Sequence, residues 1–286
     1  MLTPRTLRRR IKSVQSTAKI TRAMEMIATA KMKRTQERAL AGRPYAEKIT
    51  QVIGHLAASV SGSTESVPSF LKPREVRRIG IIHISTDRGL CGGLNSNLNR
   101  MISSFVLREG KPVTVVAVGR KGRDFLVRNG VEIRADFAGI GDSPKLIDTL
   151  AISRVAMEDY VSGYVDVVYL SYPRFISTMA QRPAIEQLVP VEPVTLAPGQ
   201  RADYIYEPDA GTVLERLLPR YVEMQVYHAI LETIASEQSA RMVAMRNATD
   251  NAKEMVADLT LALNKARQEM ITKELLDITG GAAAIT

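Results

Sequence analysis

The stretch Ile84-Ser-Thr-Asp-Arg-Gly-Leu-Cys-Gly-Gly-Leu-Asn95 is the first place where residue types suggest chemistry. It closes a strand-like run, Ile79–Ser85, and a glycine-rich turn after a strand can cradle phosphate with backbone N–H groups. The Lys-Ser/Thr pair that completes a P-loop is missing, and the glycines do not follow the Gly-x-Gly-x-x-Gly spacing of a dinucleotide site. Glycines that let the turn pack tightly between strand and helix account for the pattern better. Cys91, inside this turn, has no nearby histidine to activate it as a nucleophile, so it reads as a small packing residue. As the single cysteine it also excludes a disulfide within the chain. His55, His83 and His228 are scattered without ligand spacing. Neither a metal site nor a bound cofactor is expected, and direct nucleotide binding is not expected either.

Charge is the second signal. The 286 residues carry a net charge of +9, which calls for an acidic partner: nucleic acid, lipid headgroups or an acidic protein surface. Arg5, Arg8, Arg9, Arg10, Lys12, Lys19 and Arg22 meet no acid before Glu25. Such a run fits nucleic-acid binding, a solvated helix face, or docking on acidic protein loops. No aromatic residues interleave for base stacking, and no nucleic-acid motif follows. Residue physics alone leaves the three readings level.

Three regions must position these groups. Residues 3–60 read as one long helix, with Thr3-Pro4 as capping hydroxyl and first-turn proline. Leu7, Ile11, Val14 and Ala18 form its apolar stripe; Ile20, Met24 and Ile27 continue it, displaced around the helix. Gly42 and Pro44 predict a kink or break, after which Ile49, Ile53, Leu56 and Val60 resume the stripe. Residues 61–75 are polar and rich in breakers, a linker. From 76 to about 208, strand-like runs (Ile79–Ser85, Val113–Val118, Val131–Phe137, Val165–Ser171, Ile185–Val191) alternate with helical segments. One such helix carries Leu94, Leu98, Met101 and Phe105 on one face and stops at Gly110; another opens at Ser143-Pro144 and runs towards Gly163. That alternation predicts a mostly parallel, Rossmann-like α/β sheet.

The last region, 209–286, repeats one spacing. Met224, His228, Leu231, Ala235, Gln238, Met242, Met245, Thr249, Ala252, Val256, Leu259, Leu263, Ala266 and Met270 follow an unbroken 4,3 rhythm. This is a coiled-coil seam in which small and polar residues are interspersed. Seventy helical residues extend roughly 105 Å, more than a compact domain can cover, so the partner is another long helix. The long helical segment at the opposite terminus supplies it. The expected fold is therefore an antiparallel coiled coil of the N- and C-terminal helices with the α/β domain inserted between them. The methionines Met24, Met26, Met32, Met242, Met245, Met255 and Met270 read as adaptable core filler on these helices. Gly280-Gly-Ala-Ala-Ala-Ile-Thr286 reads as a frayed end or as an apolar bearing tip. No secretory signal or apolar span of membrane length is present, and a bacterial cytoplasmic location is expected.

Three motifs in order resemble the gamma subunit of F-type ATP synthases: Arg10-Ile-Lys-Ser-Val-Gln-Ser-Thr-Ala-Lys-Ile-Thr-Arg-Ala-Met-Glu-Met-Ile-Ala28, Ser85-Thr-Asp-Arg-Gly-Leu-Cys-Gly-Gly-Leu-Asn95, and a C-terminal pair. That pair is Glu237-Gln-Ser-Ala-Arg-Met-Val-Ala-Met245 and Asn264-Lys-Ala-Arg-Gln-Glu-Met-Ile-Thr-Lys-Glu-Leu275. The resemblance implies a central rotor shaft, non-catalytic in itself, threading a hexamer of alpha and beta subunits. Its α/β foot joins the epsilon subunit and the membrane c-ring, and the whole is held peripherally at the cytoplasmic face of the bacterial inner membrane. It implies further that Arg267 and Gln268 contact an acidic loop near the top of beta. Met24, with Lys19 and Arg22, lies near beta's acidic lower loop, and Arg88 meets that same loop. Chloroplast members carry a redox-switched cysteine pair; with Cys91 alone, thiol regulation of that kind is not expected. The alternative reading from the residues is a basic coiled-coil scaffold that binds nucleic acid.

Overall fold

The computed structural model describes residues 3–60, 68–192, 207 and 209–283; for residues 39–47, 50, 57–60, 210 and 280–283 it describes the backbone alone. Helix α1 spans Pro4–Val60 and helix α5 spans Ala210–Ala283. Two compact units are present: Met1–Ala28 with Arg241–Thr286, and Thr29–Ala240. Both long helices therefore contribute residues to both units.

In the first unit the helices pair antiparallel. The Thr21 and Thr249 hydroxyls lie 2.7 Å apart, and Arg246 Nε donates to Glu25 Oε1 at 3.0 Å. Counting outward in the 3,4 rhythm from Thr21–Thr249 pairs Ala18 with Ala252, Val14 with Val256, Ile11 with Leu259, Leu7 with Leu263 and Pro4 with Ala266. All of these positions are buried or half-buried. From Thr249 to Met270 of α5, every residue that is not exposed is a seam position, and Met270 itself is exposed. The predicted seam on α5 thus holds from Thr249 through Ala266; before Arg241 the helix belongs to the second unit, where Val222, Val226 and Ile230 are buried and the predicted Met224 and His228 only half-buried.

On α1 the stripe departs from expectation beyond Ala18. It runs through Thr21, Glu25 and Ala28, all buried, whereas Ile20 and Ile27 are 61% and 56% exposed and Met24 is half-buried. Polar side chains hold the seam here because each finds its partner across it, and this removes the cost of burying them. Of the kink or break expected at Gly42 and Pro44, the break is absent: α1 is continuous there. Proline removes one N–H bond; buried Ile49, Ile53 and Leu56 anchor the helix just beyond it.

The second unit is built on a five-stranded sheet in the order β3-β2-β1-β4-β5. Its strands are β1 (Ile79–Ile84), β2 (Val113–Val118), β3 (Glu132–Phe137), β4 (Val167–Ser177) and β5 (Ala180–Val189). The first four pair in parallel and β5 returns antiparallel on β4. Central strand β1 is buried at every position, as a parallel strand covered on both faces must be. One face packs Ile79, Ile81 and Val115 on α2 (Leu94–Glu109) and α3 (Arg120–Arg128) through Ile102, Phe105 and Leu126. The other packs Ile82, Val116 and Leu170 with Ile152 and Tyr160 of α4 (Leu150–Val161), with Ile53 and Leu56 of α1, and with Leu214, Leu218 and Val222 of α5.

Gly110 ends α2 as expected, in the left-handed conformation that a Cβ disfavours. The helix expected from Ser143-Pro144 starts later, as a 3-10 turn at Leu146–Thr149 leading into α4. Helix α3 has no counterpart among the expected elements, and strand β4 extends six residues beyond the predicted Ser171, to Ser177. Of the linker, residues 61–67 lie outside the described residues, as do 193–206 of the middle region and the final 284–286. Ser69–Leu71 form one 3-10 turn with Phe70 buried.

The register can be checked with paired cysteines. Val14→Cys with Val256→Cys, in a Cys91→Ala background, should form a disulfide on mild oxidation, whereas Val14→Cys with Ala266→Cys should not. Efficient crosslinking of the second pair alone would show a different register.

Candidate functional site

The candidate contact residues occupy three places. Lys19 and Arg22 are exposed on α1, five and two residues before half-buried Met24. Arg22 is held by a 2.8 Å ion pair to Glu25, whose side chain is only 6% exposed and which Arg246 also grips. Burial drives the Glu25 carboxyl up, but the hydrogen bonds from Arg246 and Arg22 outweigh it and hold the group below the ordinary carboxylate value. The acid that ends the basic run is thus committed to the seam, and the outward charge of this stretch stays positive.

Arg267 and Gln268 follow Ala266, the last position of α5 matched by α1. Every described residue from Arg267 to Thr279 is exposed, including Ile271, Leu275, Leu276 and Ile278. This stretch is a helix that has outrun its partner. At 1.5 Å per residue, Arg267 lies about 27 Å along α5 from the level of Thr249. The structure therefore does not gather Lys19, Arg22 and Met24 with Arg267 and Gln268 into one site; it sets them as two zones along one helical pair.

Arg88 belongs to the other unit, in the turn from β1 to α2, and is exposed. This turn uses its polar groups internally. Thr86 Oγ1 donates to the Arg88 carbonyl at 2.6 Å, and Asn95 Nδ2 donates to Thr86 Oγ1 at 2.8 Å. Asp87 accepts the Arg120 N–H at 3.1 Å and the Gly139 N–H at 2.8 Å, so a carboxylate of the chain itself sits at the start of α3. Cys91 is buried beneath the turn, with Asn95 Nδ2 3.4 Å from its sulfur. Gly119 is required: at φ 90, a Cβ there would meet the Ser85 carbonyl oxygen at 2.3 Å. The glycine-rich segment is a tightly bonded connector between strand and helix.

Two features had no sequence signal. Asp142 ties both long helices to the sheet unit, accepting from Lys31 Nζ at 2.6 Å and from Gln238 Nε2 at 3.1 Å. His83 is fully buried under the turn, its Nδ1 3.2 Å from Ser171 Oγ and its Nε2 3.2 Å from Asn99 Oδ1. Among the described residues, no group of acidic, histidine or cysteine side chains is placed to hold a metal ion, and no helix is long and apolar enough to cross a membrane.

The family model described as ATP synthase matches residues 3–285. An ATP synthase gamma chain from Dehalococcoides mccartyi strain CBDB1 is 60% identical over 281 residues, 98% of each chain.

The chain belongs to the ATP synthase gamma-chain family.

Other gamma chains agree: that of Acidithiobacillus ferrooxidans strain ATCC 53993 is 50% identical over 291 residues, and that of Chloroflexus aurantiacus strain J-10-fl 47% over 289, each covering both chains fully. Among solved structures, the rotor of Euglena gracilis mitochondrial ATP synthase in rotational state 1 aligns with a TM-score of 0.69 at 19% identity, covering 94% of this chain and 98% of that one. The central stalk and c-ring structure from Tetrahymena thermophila gives 0.60 at 23%, covering 80% and 99%. These structures share the fold: two long terminal helices around a central mixed sheet.

The buried His83 of this gamma chain yields a pH test. Burial pushes its pKa from 6.5 down to about 4, against the smaller opposing effect of Asn99. Between those values the unfolded chain binds a proton that the folded chain refuses. The associated stability is complete above pH 6.5 and is lost as pH falls towards 4, approaching roughly 3 kcal/mol. Urea unfolding of the parent should therefore weaken over this range more than that of His83→Gln. Equal pH slopes would show that the histidine is not held neutral.

Proposed function

We propose that this chain is the central rotor shaft of an F-type ATP synthase, coupling proton flow through the membrane sector to ATP synthesis or hydrolysis at the beta-subunit sites. The observation that carries the reading is α5 itself, 74 residues without a break. Its first half is built into the sheet core, its second half forms the seam with α1, and its end is bare. A continuous helix suits the transmission of rotation, because successive turns tied by backbone hydrogen bonds resist twisting.

In this reading residues 1–60 and 209–286 are the shaft, 61–75 the linker and 76–208 the foot. The shaft runs through a hexamer of alpha and beta subunits; the foot meets the epsilon subunit and the c-ring. In the same reading the chain sits peripherally at the cytoplasmic face of a bacterial inner membrane. The chain has no catalytic site of its own; it biases beta subunits between conformations mechanically. The Asp87 carboxylate at the start of α3 and the missing P-loop lysine support that view. The family match favours this over the nucleic-acid scaffold, for which nothing comparable speaks.

Arg267 and Gln268 are assigned to an acidic loop near the top of beta, supported by their exposure just past the seam. Lys19, Arg22 and Met24 are assigned to beta's acidic lower loop, and so is Arg88. A guanidinium suits a carboxylate through its fork of donors. The contacts must break as the shaft turns, so each is weaker than a static charged hydrogen bond.

The test is Arg267→Ala with Gln268→Ala, reconstituted with alpha and beta subunits. Folding should be unchanged, while assembly should weaken roughly tenfold, about 1.4 kcal/mol, and steady-state ATPase should fall. Assembly and turnover equal to the parent would show that both side chains are merely solvated.

A further inference from the structure

Strand β4 outruns the sheet. It pairs with β1 as far as Ser171, and from Tyr172 to Ser177 it has β5 alone beside it. A two-stranded hairpin by itself is marginally stable in water. This arm has no core of its own: none of residues 174–183 is buried, and Ile176 and Met179 are 54% and 74% exposed. Pro173 and Pro183 face each other at its base, where neither has an N–H to offer a neighbouring strand.

The arm is fastened to α5 instead. Glu232, Ser236 and Ser239 follow at spacings of four and three, on one face of that helix. Ser236 Oγ donates to the Pro173 carbonyl at 2.9 Å and Ser239 Oγ to the Thr178 carbonyl at 2.5 Å. The Phe175 N–H donates to Glu232 Oε2 at 3.2 Å. From the arm, Gln181 Nε2 donates to Ser239 Oγ at 3.2 Å. All these residues belong to the unit Thr29–Ala240.

The kind of bond decides what the arm can do. A hydrogen bond given up to water costs little net free energy, whereas opening an apolar core exposes its whole surface. The arm can therefore part from α5 while the layers under it stay closed, as small cooperative units open below the limit of global unfolding. The helix itself stays in place. Asp142 and Pro144 hold it through Gln238 and Tyr227, and its apolar layers remain packed on the sheet.

We propose that residues 173–181 are a latch, shut on α5 by Glu232, Ser236 and Ser239, which opens without unfolding of the sheet or of α5. Opening bares the polar face that these three residues form. The latch lies within one chain, goes beyond the function proposed above and stands independently of it.

The Phe175 amide reads the latch directly, since Glu232 takes its proton. In the full-length parent it should be less protected from deuterium exchange than the Ile81 and Ile82 amides of β1, which are freed when the sheet itself opens. Ser236→Ala with Ser239→Ala should speed exchange at Phe175 roughly tenfold, the loss of neutral hydrogen bonds, and leave Ile81 and Ile82 unchanged. Alanine keeps the helix intact. Gln181→Ala, made on the arm, should act in the same direction by a smaller factor. Unchanged Phe175 exchange in both variants would overturn the latch, because the arm's own strands would then hold it. Equal acceleration of Phe175, Ile81 and Ile82 would overturn it as well, making the serines part of the global fold. So would a parent in which all three amides are protected to the same degree.

Discussion

The hydroxyl pair between Thr21 and Thr249, with the Glu25–Arg246 ion pair one turn away, sets the register on which the first unit depends. An all-apolar seam would tolerate slippage by a heptad at little cost. Sliding α1 against α5 here would leave the Glu25 carboxylate, almost fully buried, without Arg246. A buried charge stripped of one partner is strongly destabilising, whereas the intact pair adds little net stability. The polar seam residues therefore act as a ruler more than as glue, the best-attested use of polar residues in coiled-coil cores.

What the ruler measures is how far α5 outruns α1. With Thr21 at Thr249, the N-terminal end of α1 falls at Ala266, and the helix beyond is bare from Arg267 to Thr279. Moving the register by one heptad would cover or expose about two further turns of α5 and shift Arg267 and Gln268 relative to the end of α1. In the sheet unit the same helices are held differently, by apolar layers through Ile53, Leu56, Leu214 and Leu218 and by Asp142 bridging Lys31 and Gln238. One pair of helices is thus gripped by charge and register in one unit and by a broad core in the other.

Much of this is legible in the residues. The 4,3 spacing on α5 survives His228, Gln238 and Thr249 because periodicity over many turns outweighs single polar residues. Gly110 is legible because a left-handed cap needs glycine. The stripe on α1 is not, beyond Ala18: weighing hydrophobicity selects Ile20 and Ile27, which are exposed, over Thr21 and Glu25, which are buried. The partners that make those polar residues acceptable are 228 and 221 positions away, beyond any local pattern. Helix α3 escapes notice because it is nine residues long and Gly122 interrupts it; that glycine is there for His83, whose ring carbon would lie 2.5 Å from an added Cβ. Of the candidate site, Arg267 and Gln268 are legible as residues outside the seam.

In the function proposed above, the chain turns as a unit inside a hexamer that hydrolyses ATP. A bright probe on a cysteine at Leu107, in the Cys91→Ala background, marks an exposed point on α2 of the sheet unit. With surface-fixed alpha and beta subunits and saturating ATP, the probe should rotate continuously in one sense and stop when ATP is exhausted. Sustained ATP hydrolysis in the assembled complex with the probe stationary or diffusing randomly would contradict the account.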